Sequence, residues 1–392
     1  MRKMVVVVPQ QIFGGFRTYS KSLEIVAKKN NFRYKELVLL KPKNSTDYYK
    51  NLSVHKNFIP NQFAKYIFLL KLFIRTFAIL KNENPSLVIG VGMLSNTIAF
   101  FFVFINNFFV KKKVKVITTV HNTFYRNGDY DRLHPSIVYS GSQKLFKLIL
   151  GKSERCICVS KGIESEVIRI FNLKNTVTIN NGIDIKKILR TSRSYIINEK
   201  NGVTNSLLER LNDRKIIKIT TVSRLTAQKD INTAIKAFRL VNDNILNAIL
   251  LIIGVGPKYD ELYQLVSSLK LSSKIFFIGA TRNPYYFLKR TNIYINSSLY
   301  EGFGYSIIEA MSMGKPIIAT DSLYGPREIL DEGKYGILTR VKSEKEMSTA
   351  IIDLITNKQK YQSYALLSKK RAQDYSIEKL ISAYSALIKS LF

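Results

Sequence analysis

The chain has 392 residues, too many for one compact core, so two domains are the expected arrangement. Hydrophobic residues make up 46%, and no low-complexity tract interrupts them, which excludes a disordered protein. The 61 Lys and Arg against 28 Asp and Glu give a net charge of +33, which points to a polyanion or an anionic membrane as partner unless the cations only solvate the surface.

MRKMVVVVPQQ opens with a basic pair and a four-valine run that Pro9 cuts short. That run is too brief for a signal-peptide core and reads as a buried parallel strand, Met4 to Val8. Pro9 to Gly15 follows as a loop with adjacent glycines, Gly14 and Gly15, where backbone can approach a ligand. A second strand is expected over Tyr34 to Leu40. Residues 62–80 set Phe63, Tyr66, Ile67, Leu70, Phe73, Ile74, Phe77 and Leu80 at helical spacing, with Lys65, Lys71 and Arg75 between them. Such a stripe suits packing on the sheet, and its basic residues also suit a membrane interface.

From Asn84 to Val110 there is no charge at all. Leu87 to Gly90 reads as a strand, Gly90 to Gly92 as a turn, and Thr97 to Ile105 as an apolar helix or strand too short to span a bilayer of about twenty apolar residues. Lys111 to Lys113 and Lys115 would suit phospholipid head groups, or simply precede the strand Val116 to Val120. His121 then sits where that strand ends. Asp129 and Asp131 mimic a metal-binding Asp-x-Asp and are expected in a loop of the first domain. Cys156 and Cys158 fall in the strand Arg155 to Val159, with thiols expected on opposite faces and unable to bridge, which suits a reduced cytosolic setting. Thr176 to Asn180 completes the first strand series. No Cys/His cluster suggests zinc.

A polar stretch, 186–214, reads as a linker between domains at 1–185 and 215–375. Charge is uneven across it: residues 1–190 carry 32 Lys and Arg against 10 Asp and Glu, and residues 191–392 carry 29 against 18. The second series of strands is expected at Ile216 to Val222, Ala248 to Ile253, Ile275 to Ile278, Ile293 to Asn296 and Pro316 to Thr320. Alternation with helices predicts an α/β fold of two doubly wound domains, with ligands gathered beyond the carboxyl ends of the strands. The last helix, about 376–392, is expected to pack back on the first domain.

Residues 296–321, NSSLYEGFGYSIIEAMSMGKPIIATD, carry the most chemistry. Gly302 and Gly304 flank Phe303 in a turn, and Tyr305 to Met313 reads as a helix whose first N–H groups form an anion site. Glu301 precedes that helix and Glu309 lies in its early turns. Ser306-x-x-Glu309 also matches a capping box, in which both side chains would serve the helix and no ligand. Arg224 and Lys229, in TVSRLTAQKD, directly follow a strand and could neutralise a diphosphate.

The string EGFGYSIIE, with Arg224 and Lys229 five apart, resembles the donor signature of retaining glycosyltransferases of the GT-B fold, family 4, of the bacterial cell-surface polysaccharide type. CVSKGIESEV, TINNGID, IIGVGPKYDEL and FIGATRNPYYFLKRTNIYINSS extend the resemblance across nearly the whole chain. It implies two facing Rossmann-like domains with an interdomain cleft. It also implies catalytic roles for Glu301, His121, Arg224 and Lys229, with Glu301 and His121 orienting the sugar and the two cations on the departing diphosphate. Donor binding would fall to Gly14, Gly15, Gly302, Phe303, Gly304, Tyr305, Ser306 and Glu309, the last on ribose, and to Gly279, Ala280, Thr281 and Arg282 on the base. Tyr324 to Glu328 resembles the loop of members acting on UDP-hexoses and UDP-N-acetylhexosamines.

The reading is thus a retaining, metal-independent enzyme without cofactor. It would transfer a hexose or N-acetylhexosamine from a UDP-sugar to a lipid-linked cell-envelope glycan, at the inner face of the membrane, without nucleic acid. A wall teichoic acid or phospholipid glycosyltransferase is the alternative within the enzymes. An inactive GT-B scaffold binding anionic lipid or polyanion is the alternative outside them.

Overall fold

Val5 to Val8 are at most 1% exposed, because the strand that holds them is covered on both faces. The computed structural model describes residues 1–10, 15–40, 62–126, 129–133, 140–194 and 204–392, which divide into two compact units. The first comprises Met1–Gly182 with Ile377–Phe392, and the second Ile183–Ser376.

The first unit is built on six strands: β1 (Arg2–Gln10), β2 (Phe32–Leu40), β3 (Leu87–Val91), β4 (Lys115–Val120), β7 (Arg155–Cys158) and β8 (Thr176–Thr178). They pair in parallel in the order β2-β1-β3-β4-β7-β8. Alternation along β1 feeds two cores. Val5 and Val7 face the helices Gln62–Glu83, Met93–Phe109 and Ser140–Gly151, while Met4, Val6 and Val8 face Tyr19, Leu23, Ile381 and Tyr384. Those last two lie on the helix Ile377–Leu391, which therefore completes a domain begun at the other end of the chain.

The second unit is a sheet of β9 (Ile217–Val222), β10 (Ala248–Ile253), β11 (Ile275–Gly279), β12 (Ile293–Asn296), β13 (Ile317–Thr320) and β14 (Ile337–Thr339). All pairs are parallel, in the order β11-β10-β9-β12-β13-β14. This is the doubly wound pattern: from β9 the chain winds outward one way, then returns to β12 and winds the other way. An α/β fold of two doubly wound units is what the strand and helix alternation predicts.

Several segments differ from their sequence expectation. Asp129 to Asp131 is not loop: it lies in β6 (Asp129–Leu133), antiparallel to β5 (Tyr125–Arg126). The Asn127-Gly128 dipeptide between the two was an unused hairpin signal. Residues two apart on a strand share a face, so Cys156 and Cys158 lie on the same side of β7 and not on opposite sides. Both are free and buried, and the Cys156 contact together with burial raises the Cys158 thiol well above its ordinary range.

The stretch read as a linker contains the helices Ile185–Thr191 and Asn205–Asn212, capped by Asp184 and Thr204. Leu207 and Leu211 of the second helix are buried against Ile249 and Leu251 of β10. Thr97 to Ile105 is helical, and the helix begun at Gln62 splits its expected stripe. Phe73, Phe77 and Leu80 pack inward, while Ile67, Leu70 and Ile74 are exposed. Among the described residues no helix is long and apolar enough to cross a membrane.

Candidate active site

The strand order reverses between β9 and β12, the place where a doubly wound sheet gathers its ligands, and the loops that follow these two strands lie side by side. The loop after β9 carries Arg224, Gln228 and Lys229, and the loop after β12 carries Asn296 to Gly304. They are stitched together: Leu299 N donates to Gln228 O at 2.8 Å, Gln228 Nε2 to Tyr300 O at 2.9 Å, and Ser297 Oγ to Lys229 O at 2.8 Å. A rigid seam results from residues about seventy positions apart.

At this seam Lys229 Nζ forms an ion pair with Glu301 Oε1, with side chains 14% and 9% exposed. The same oxygen accepts from Ser298 Oγ at 2.9 Å and Asn296 Nδ2 at 3.5 Å. Burial pushes the Glu301 carboxyl up, but the Lys229 charge and these hydrogen bonds outweigh it and hold the group below the ordinary carboxylate range. Glu301 is ionised at neutral pH despite being covered. Arg224, on the same loop as Lys229, is exposed, and its guanidinium donates to Gln228 Oε1 at 3.5 Å.

Glu301 N donates to Leu323 O at 3.3 Å, which draws in the loop after β13. That approach needs Gly325, since a Cβ there would stand 2.1 Å from Phe303 O. Gly302 and Phe303 are buried, the Phe303 ring packs on Tyr305 at 5.8 Å, and Gly304 turns the chain at φ 120° into the helix Tyr305–Ser312. Among the described residues no side chain caps this helix. The capping box therefore does not form: Ser306 Oγ accepts from Tyr294 OH at 2.8 Å, and Glu309 Oε1 from Tyr285 OH at 3.0 Å. Both side chains are thus turned away from the first N–H groups of the helix, where Ile307 N donates to Gly304 O at 3.0 Å.

Glu309 is 9% exposed, and burial pushes its carboxyl up to about 7 against the lowering effect of Tyr285. Near neutral pH it can both donate and accept, which suits a diol. Tyr285 was missed in the sequence because NPYYFLKR gives no spacing cue to a glutamate 24 residues on. Gln228 was missed for the same reason, whereas Asn296 and Ser298 stand only five and three positions before Glu301 and reach it through the fold of the turn, which spacing alone does not encode.

At the neighbouring strand ends, Gly254 N donates to Gly279 O at 3.0 Å, joining the loops after β10 and β11. A Cβ on Gly254 would meet Ser223 O at 1.9 Å, and one on Gly256 would meet Leu225 O at 2.3 Å. These two glycines let the Arg224 turn settle onto the loop after β10. Gly279, with φ 73°, ends β11, and Ala280, Thr281 and Arg282 continue beside it, Ala280 and Arg282 exposed.

The remaining predicted residues lie on the first unit. Gly14 falls outside the described residues, and Gly15 starts the helix Gly15–Lys29 after β1. One turn on, the Tyr19 ring meets the His121 ring edge-on at 4.4 Å, while His121 Nε2 and Thr119 Oγ1 are hydrogen-bonded at 2.9 Å. Burial pushes the His121 imidazole down to about 3, so it is neutral at physiological pH and acts only as a hydrogen-bonding group. Glu166, 1% exposed, secures the chain just beyond it by accepting from Thr123 Oγ1 at 2.9 Å and Phe124 N at 2.7 Å. Burial raises its carboxyl to about 7.

Residues 34–187 match the model of Glycosyltransferase Family 4, and residues 209–371 that of Glycosyl transferases group 1. The chain is 29% identical to an uncharacterised glycosyltransferase of Methanocaldococcus jannaschii over 81% of its own length and 84% of that protein's. It is 24% identical, over 60% of each chain, to a Campylobacter jejuni N-acetylgalactosaminyltransferase whose name specifies a diphospho-undecaprenol acceptor. In fold it is similar to HepE of Anabaena, crystallised with UDP-glucose, with a TM-score of 0.74, 18% identity and 99% of each chain covered.

Proposed function

From a chain that is a glycosyltransferase of the GT-B fold, with a family 4 domain over 34–187 and a group 1 domain over 209–371, we propose a retaining enzyme that uses a UDP-sugar. It transfers a hexose or N-acetylhexosamine to a lipid-linked glycan of the cell envelope. The observation that carries this reading is the buried Glu301–Lys229 pair at the strand-order reversal, with an exposed Arg224 on the Lys229 loop.

In the proposed reaction the bond from the anomeric carbon to the diphosphate breaks while the acceptor hydroxyl attacks from the same face and gives its proton to a phosphate oxygen. Lys229, Arg224 and the N–H end of the helix Tyr305–Ser312 take up the developing negative charge, so fixed protein groups supply what a resident metal would. Ionised Glu301 faces the positive charge growing at the anomeric carbon. Glu309 holds ribose hydroxyls, Gly279 to Arg282 the base, and Gly14, Gly15 and neutral His121 the phosphate and sugar. The UDP assignment is supported by UDP-glucose in HepE, and the lipid-linked acceptor by the named acceptor of the Campylobacter relative.

UDP-hexoses and UDP-N-acetylhexosamines are expected to raise the melting temperature, and GDP-sugars not to. A panel in which no UDP-sugar gives a shift would sink the donor assignment. An inverted anomeric configuration in the product, read by NMR, would sink retention.

The membrane part of the proposal rests on one helix layer of the first unit. Helices Gln62–Glu83, Met93–Phe109 and Ser140–Gly151 pack on the same side of its sheet. They carry nine of the exposed large apolar side chains among the described residues, including Leu70 at 58%, Phe108 at 72% and Phe109 at 85%. Their sequences hold one carboxylate, Glu83, already paired with Lys3 and Lys35. After Phe109 the chain is pinned by Asn107, whose side chain accepts from Val114 N and donates to Val114 O, each at 2.9 Å, presenting Lys111 to Lys113. Exposed apolar groups interspersed with basic residues suit an anionic bilayer surface.

In flotation assays the protein is expected to bind phosphatidylglycerol vesicles and release in high salt. Replacing Lys111, Lys112 and Lys113 by serine is expected to weaken binding about 100-fold, from about 1 kcal/mol per basic residue near the surface. Equal binding to zwitterionic vesicles would remove the anionic surface from the proposal, and no binding to either would remove the membrane.

A further inference from the structure

At the N-terminal edge of the second sheet, opposite the donor loops, a pocket of about 500 Å³ is lined by Arg214, Lys218, Lys289, Arg290 and Lys315, and among the described residues no Asp or Glu lines it. Lys218 is only 5% exposed. The hydrogen bonds these cations make go to neutral oxygens: Lys218 Nζ to Asp213 O, Lys315 Nζ to Lys289 O at 2.8 Å, and Arg290 to Tyr286 O and Asn212 Oδ1, each at 3.2 Å. Arg290 also lies over the Tyr286 ring at 3.6 Å, which fixes its plane.

Cations gather at helix C-termini for ordinary reasons, and the helices Asn205–Asn212 and Tyr285–Arg290 both end here. Two such ends supply about −0.5 each, and the nearby Asp213 carboxylate another unit, against five positive groups. About three positive charges are left without compensation. Burial, with Lys218 and Lys289 close by, pushes the Lys315 ammonium down to about 8. Planar guanidinium and compact ammonium groups together in a concave site match tetrahedral oxyanions.

We propose that this pocket is a second anion site, for a small ligand of the phosphate or diphosphate class, separate from the donor site.

The test is titration calorimetry of the full chain with inorganic pyrophosphate, with the donor site saturated by UDP and ionic strength held constant by sodium chloride. One pyrophosphate is expected to bind. Lys218→Met with Lys315→Met is expected to weaken it at least tenfold and leave UDP affinity unchanged. Because a buried lysine can also matter for folding, the rim variant Lys289→Ser with Arg290→Ser serves as a second reading with the same expected loss. Absence of binding in the wild type, or equal affinity in wild type and rim variant, overturns the proposal. The comparison of wild type with rim variant also reads without UDP, so a failed donor assignment leaves this test intact.

Discussion

Lys229→Ala is expected to lower turnover about 100- to 1000-fold, as removal of one preorganised electrostatic donor does elsewhere. It is also expected to destabilise the second unit. Glu301 is buried and ionised, and its largest favourable partner is Lys229. Breaking a buried pair from one side costs about 3–5 kcal/mol, or roughly 6–20 °C in melting temperature for a unit of this size. Activity and stability therefore fall together, and a second variant separates them. Lys229→Met with Glu301→Gln removes both charges, so melting temperature recovers while turnover does not. Wild-type transfer by Lys229→Ala would contradict the role given to the pair, and a melting temperature unchanged by it would contradict the geometry.

Gly254→Ala is expected to have the other large effect. A methyl group there meets the Ser223 carbonyl oxygen at 1.9 Å, and a backbone atom cannot swing aside as a flexible side chain could. Displacing that turn moves Arg224, the next residue. Stability is expected to fall by about 3–5 kcal/mol. Donor affinity should fall at least tenfold, the equivalent of about one charge-assisted hydrogen bond. Gly279→Ala provides the contrast: both glycines have a positive φ unfavourable for alanine, 139° at Gly254 and 73° at Gly279, but among the described residues nothing lies within 4 Å of the Cβ added at Gly279. That variant is expected to lose only about 1–2 kcal/mol, the cost of the left-handed backbone alone. Thermal denaturation of the two variants side by side, followed by UDP-sugar binding, checks both. Equal losses would mean that the close approach of the two loops plays no part.

These variants mark how far the chain could be read as a sequence. Glu301 and Glu309 stand in one contiguous string, and Arg224 and Lys229 directly follow a strand, so local pattern and chain order suffice to find them. The pairing of Lys229 with Glu301 spans 72 positions and depends on β9 lying beside β12. No periodicity encodes that adjacency. Tyr285 on Glu309 and Gly254 against Ser223 are likewise products of the sheet order. Ser306 shows the converse: its spacing to Glu309 fits a capping box, but buried Tyr294 and half-buried Tyr285 take the two side chains, and a tertiary hydrogen bond overrides the local motif. The helix at Gln62–Glu83 was legible as a helix, but only packing decides that Leu72 and Leu80 are covered while Leu70 and Ile74 are not.

The return of Ile377–Leu391 to the first unit also sets an order of events during synthesis. Ile381 and Tyr384 cover Met4, Val6 and Tyr19, and the Tyr384 hydroxyl bonds that of Tyr19, whose ring holds His121. At about 5–20 residues per second, the roughly 200 residues of the intervening unit separate the two parts of that core by about 10–40 s on the ribosome. Through that interval the nascent first unit carries an open apolar flank, a natural target for a holding chaperone, and its His121 loop is not yet braced. The second unit, being continuous in the chain, can finish folding first although it is made later.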